Sequence, residues 1–177
     1  MRPALFAASV VLVATACSGG KDPYNPGTPL GTFHVTGKLV TNECGEGVGV
    51  ADPWEFDIHL ASDPGTLYWV QGGPAVSGAL DAKAHATLTS SDTRTLHQAD
   101  PKHGLGFCSV TRSDSVDVTL ATDSASFTGT LQYTFVATDG SDCSDQLALS
   151  GGTFAALPCT TKFQMTGSRT ALPPKKK

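Results

Sequence analysis

The sequence predicts an all-β protein, a single antiparallel domain of about eight to ten strands. A small meander β-barrel is the preferred architecture, and a Greek-key β-sandwich is the alternative. Three observations lead there. Apolar and polar residues alternate in short runs along most of the chain. Turn-forming residues fall between those runs. The mature part of the chain, rich in Thr, Ser, Gly, Ala and Val, carries no sustained 3.6-residue apolar rhythm of the kind a long helix needs.

The first run is "TFHVTGKLV", with Phe33, Val35, Gly37 and Leu39 on one face and His34, Thr36 and Lys38 on the other. In "WEFDIHL", Trp54, Phe56, Ile58 and Leu60 oppose Glu55, Asp57 and His59. "TLYWVQ" is short and carries bulk on both faces, and "AVSGAL" puts Val76, Gly78 and Leu80 together. "AKAHATLT" sets Ala82, Ala84, Ala86 and Leu88 against Lys83, His85 and Thr87, and "SVDVTLAT" sets Val116, Val118 and Leu120 against Asp117 and Thr119. In "SFTGTLQYTFV" Phe127, Gly129, Leu131, Tyr133 and Phe135 share a face, and "TKFQMTGS" ends the series with Phe163 and Met165. Period-two alternation with one wet side is the signature of half-buried antiparallel strands. The turns read from "SDPGT", "GGP", "DPKHG" and "TDG", where Pro fixes φ and Gly tolerates the left-handed region.

Four glycines, Gly37, Gly78, Gly129 and Gly167, fall on the inward face or near a strand end. Glycine inside a strand marks a bulge, a bend or a close backbone approach, and a small barrel needs strongly coiled strands. That favours the barrel, similar in layout alone to lipocalins and avidins, with no motif of either.

The N-terminus has its own logic. Met1 and Arg2 precede an apolar run from Ala4 to Val13, about ten residues, which suits an export signal rather than a span of about 20. Small residues follow, then Cys17, then the Gly/Pro-rich "SGGKDPYNPGTP". The segment Ala14-Thr15-Ala16-Cys17 resembles the lipobox of bacterial lipoproteins, with Ala14 where that family usually has leucine. The resemblance covers the first 17 residues and implies a diacylglycerol on the Cys17 thiol, cleavage before it, and a membrane anchor. Ser18 rather than Asp after the cysteine implies, by the sorting rule of some Gram-negative bacteria, the outer membrane. The expected organisation is a signal peptide over 1–16, a lipidated cysteine and tether over 17–30, the all-β domain over 31–170 and a Lys-rich tail over 171–177.

Five cysteines make an odd set, and assigning Cys17 to the anchor leaves four. In an oxidising compartment Cys44, Cys108, Cys143 and Cys159 are expected as disulfides, paired Cys44–Cys108 and Cys143–Cys159. They lack the close spacing of a four-thiolate metal site. The formal charge of -4 predicts no broad basic surface and hence no nucleic-acid partner.

No catalytic constellation stands out. G-x-S-x-G is absent, and the glycine-rich "CGEGVGV" lacks the phosphate-loop pattern and reads as a flexible connection. His34, His59 and His85 read as solvated surface histidines; "SSDTRTLHQADPKHG", with His97 and His103, reads as a mobile loop over a barrel mouth or merely a surface loop. Asp139, Asp142 and Asp145 in "DGSDCSD" read as a polar turn. No cofactor, metal or enzymatic activity is expected. The first functional expectation is a lipid-anchored envelope protein with a structural or partner-binding role and a filled interior. The second is a carrier of a small apolar ligand inside the barrel, lined by Trp54, Trp69, Tyr133 and Phe135.

Overall fold

A computed structural model describes residues 22–49 and 51–172. The expected signal peptide, Cys17 and the lysines of the tail lie outside the described residues. The chain forms eight strands: β1 (Thr28–Asn42), β2 (Trp54–Asp63), β3 (Thr66–Val70), β4 (Val76–Ala79), β5 (His85–His97), β6 (Cys108–Leu120), β7 (Ser126–Ala137) and β8 (Cys159–Ala171). They make one sheet in the order β4-β3-β2-β1-β8-β7-β6-β5, each pair antiparallel. Every strand therefore neighbours its sequence neighbours, and the first strand meets the last. This is the meander barrel that was the preferred expectation, nearly closed, and not the sandwich. Its remaining seam, β4 against β5, carries a single backbone bridge, Leu80 to Ala86.

Glycine sets how closely that seam approaches. A methyl group on Gly78 would come within 2.2 Å of the Thr87 carbonyl oxygen, so the bare backbone of β4 rests on β5. Gly167 plays a different part. The Phe127 ring lies where its side chain would be, 2.1 Å from a built Cβ. Gly129 likewise leaves room for the backbone at Asp117, whereas Gly37 has only ordinary contacts, at 3.5 Å and beyond. Three of the four inward glycines thus mark the close approaches a coiled barrel wall requires.

The interior divides into two halves. At the end where β1 begins, Phe33, Ile58, Leu60, Leu67, Val118, Phe127 and Met165 are at most 2% exposed. Phe127 packs against Phe33 and edge-on to Trp69, with ring centroids 5.9 and 5.7 Å apart. Arg169 caps this end, its Nη1 donating to the carbonyls of Leu30 and Ser124. The outer wall is polar, with Lys38, Glu55, Asp57, Thr87, Thr89, Gln164 and Thr166 exposed. That is the reverse of the apolar outer band of a membrane-spanning barrel. Among the described residues no helix is long and apolar enough to cross a membrane.

Both disulfides staple the opposite end, with pairings that correct the expected ones. Cys44 joins Cys159, and Cys108 joins Cys143. The reason is closure. Asn42 at the end of β1 stands opposite Thr161 near the start of β8, which puts Cys44 beside Cys159. Cys108 opens β6 next to the end of β7, and the loop after β7 folds back over it, tied by Ser141 and Thr138 to the backbone of Ser109. The loop-closure estimate gives about 4.8 kcal/mol for the separation of 115 residues and about 3.8 kcal/mol for 35.

Two other expectations are corrected. The stretch "SSDTRTLHQADPKHG" is a loop only in its second half, because β5 continues to His97 and pairs with β6 throughout. "CGEGVGV" is not a free connection over its described residues. It forms a 3-10 turn (Glu46–Val48), and the carbonyl of Cys44 accepts the N–H of Ala155.

Candidate ligand-binding site at the barrel mouth

The disulfide-stapled end is not filled. A cavity of about 750 Å³ opens there, a size within the roughly 300–1,000 Å³ typical of small-molecule sites. Strand alternation explains its lining. Trp54 opens β2, Trp69 and Val76 come from β3 and β4, Leu88 and Ser90 from β5, Val116 from β6, and Leu131, Tyr133 and Phe135 from β7. All four aromatic residues expected to line a ligand site, Trp54, Trp69, Tyr133 and Phe135, are brought together here. Val48, Gly49 and Ala51 from the loop after β1 and Pro74 from the β3–β4 turn complete the rim.

Trp54 is the hub of the aromatic group. Its ring lies 4.5 Å from Phe56, 5.4 Å from Phe163 and 5.9 Å from Tyr133. Such tilted contacts fix ring positions and add stabilisation beyond buried area. Trp69 donates its indole N–H to Gln71 Oε1 at 3.4 Å. Burial pushes the Tyr133 phenol well above its ordinary pKa, with a smaller opposing effect from the Arg112 charge, so the hydroxyl is protonated at neutral pH.

The sequence reading missed two charged residues in this wall. Arg112 and Asp114 stand on β6 in the same parity as Val116, Val118 and Leu120, and so point inward with them. The Arg112 guanidinium donates through Nε and Nη2 to the two Asp114 carboxylate oxygens at 2.7 and 2.8 Å, and lies 4.2 Å above the Tyr133 ring centroid. The signal was present: extending the alternation of "SVDVTL" backwards by four residues places both side chains inside.

Known proteins supply no comparison. No protein family, no curated protein and no solved structure matches the chain. What the site can do must come from its own geometry. A second cavity of about 450 Å³ adjoins the first and shares Ser90, Arg112, Asp114 and Phe135 with it. It is lined further by Asp92 and Arg94, themselves paired at 2.8 Å, and by Phe154, which packs on Phe135 at 5.5 Å.

The other polar candidates lie elsewhere and do not converge. His34 pairs with Asp57 and His85 with Asp117, each at 2.9 Å, while His59 contacts Thr32. His97 is paired with Asp145 at 3.0 Å, tying the end of β5 to the loop after β7. That hydrogen bond raises the His97 pKa above the ordinary imidazole value. His103 pairs with Asp100 in the β5–β6 loop. Among the described residues no three His, Cys, Asp or Glu side chains form a group that could hold a metal ion. Asp142 accepts the N–H of Ser144 and Asp145 faces His97, so the aspartates near Cys143 serve the turn.

Proposed function

We propose that this protein is a lipid-anchored carrier of the bacterial cell envelope that holds a small, largely apolar ligand in the mouth of its barrel. The observation that carries the reading is the unfilled mouth. A cavity of about 750 Å³ is walled by Trp54, Trp69, Tyr133 and Phe135, while the other half of the same barrel is packed solid. A purely structural or partner-binding role predicts side chains filling the interior from end to end, and the cavity weighs against it. The arrangement is that of a binding site, a concave mouth with aromatic and aliphatic walls and convergent polar groups.

Export is supported by the two disulfides, which form and persist in oxidising compartments. The anchor is supported by cysteine use. Four of the five cysteines are paired, and Cys17 of the lipobox-like segment is the one remaining. Acylation there, with Ser18 following, fits attachment at the outer membrane.

The chain offers its own reporter. Its two tryptophans, Trp54 and Trp69, both line the cavity. Titration with the neutral dye N-phenyl-1-naphthylamine is expected to give saturable dye emission excited through tryptophan, with matching loss of tryptophan emission. Absence of saturable energy transfer would overturn the carrier reading.

A further inference from the structure

We propose that the ligand is a neutral, ring-bearing molecule whose polar end both donates and accepts a hydrogen bond, as a carboxamide does, and that Arg112 and Asp114 read that end. The inference rests on the carrier reading and names the ligand class of the same site. Three observations lead to it.

The first is position. Arg112 and Asp114 stand on a wall shared by the two cavities, next to the buried Tyr133 ring. They remain reachable, with side chains 47% and 26% exposed. Two charged groups turned into the partly buried mouth of a barrel are costly unless they are paired and bonded. A polar ligand end gives them further bonds.

The second is charge. Within the larger cavity the remaining polar lining, Gln71, Ser90, Thr161 and Tyr133, is uncharged. Arg112 is neutralised by Asp114, and in the adjoining cavity Arg94 is neutralised by Asp92. An anion at the pair would face the Asp114 carboxylate, and a cation would face Arg112. Either would lose its hydration without a full counter-charge. A neutral group avoids both penalties.

The third is the hydrogen-bond inventory. A guanidinium has five N–H donors and a carboxylate about four acceptor positions, and the pair uses two of each internally. Donors and acceptors therefore remain side by side. An amide carbonyl can accept from Arg112 while its N–H donates to Asp114. The aromatic group around Trp54 and Tyr133 offers ring faces to the rest of the molecule.

Three probes on one skeleton test this: 2-naphthamide, 2-naphthoate and naphthalene, titrated by tryptophan quenching into the full chain carrying Cys17→Ser. Naphthamide is expected to bind about tenfold tighter than either of the others, the scale of one hydrogen bond to a charged group. In Arg112→Met, naphthamide should lose the bond to its carbonyl and bind several-fold more weakly, with naphthalene unchanged. In the nearly isosteric Asp114→Asn, Arg112 loses its counter-charge and naphthoate should gain about tenfold on naphthamide. Naphthoate binding the unsubstituted site as tightly as naphthamide, or naphthamide no tighter than naphthalene, overturns the ligand class and leaves the carrier standing. Failure of all three probes to bind overturns both. The three-probe comparison at the unsubstituted site decides the matter even if a variant does not fold.

Discussion

Replacing Gly78 with alanine should prise the barrel open at its weakest seam. A methyl group there would stand 2.2 Å from the carbonyl oxygen of Thr87 and 3.0 Å from Leu88 Cγ. A carbon normally approaches such an oxygen no closer than about 3.3 Å, so β4 and β5 must separate by about 1 Å. The contact is backbone, and no rotamer change relieves it. Overpacking of this kind costs about 1–3 kcal/mol. For a domain of this size each kcal/mol lowers the melting temperature by about 2–4 °C, so a fall of roughly 2–12 °C is expected by circular dichroism. One bridge joins the two strands, so the seam has little to hold it against the strain. Val76 and Pro74 would move with β4 and widen the cavity they line, weakening dye binding as well. Gly73→Ala is the control, since nothing lies within 4 Å of a side chain there. If Gly78→Ala melts with the unsubstituted protein while Gly73→Ala does too, β4 does not rest against β5 and the barrel does not close as described.

Other outcomes follow from the same geometry. Replacing Cys44 and Cys159 together by serine should cost up to about 4.8 kcal/mol, and replacing Cys108 and Cys143 up to about 3.8 kcal/mol. Peptide mapping without reduction should recover Cys44 with Cys159, and peptides joining Cys44 to Cys108 would contradict the pairing. The hydrogen bond that His97 donates to Asp145 raises the His97 pKa, so the folded state favours the protonated ring. Its stabilisation is complete below the unfolded value of about 6.5 and disappears as pH rises through the folded one. His97→Gln should therefore lower the urea midpoint more at pH 5.5 than at pH 8.5, and equal losses would exclude the pairing. Palmitate label should follow the chain through Cys17 and vanish in Cys17→Ser; label that persists in that variant would refute the anchor.

Most of the strands were legible because they bury one side and wet the other. Phe127, Leu131, Tyr133 and Phe135 alternate with threonine and glutamine, and such a pattern has one register. The upper parts of β5 and β6 were not legible for the same reason. Around the mouth both faces meet water or polar groups, so Ser90 to Leu96 and Thr111 to Ser115 carry little apolar contrast. That also hid Arg112 and Asp114, whose parity was correct but whose type is that of a surface residue. The disulfide pairing depends on β1 meeting β8, a closure that local alternation does not specify. Trp54, Tyr133 and Phe135 line the cavity because they stand on the inward parity of two regular strands, near the ends that form the mouth.

Native mass spectrometry of the Cys17→Ser chain, exported and purified without detergent, tests the central claim most directly. The cavity predicts a complex, one small molecule per chain, released on unfolding and identifiable by its mass and fragments. A bare protein mass, together with no uptake of naphthamide or N-phenyl-1-naphthylamine added to the same sample, would contradict the carrier.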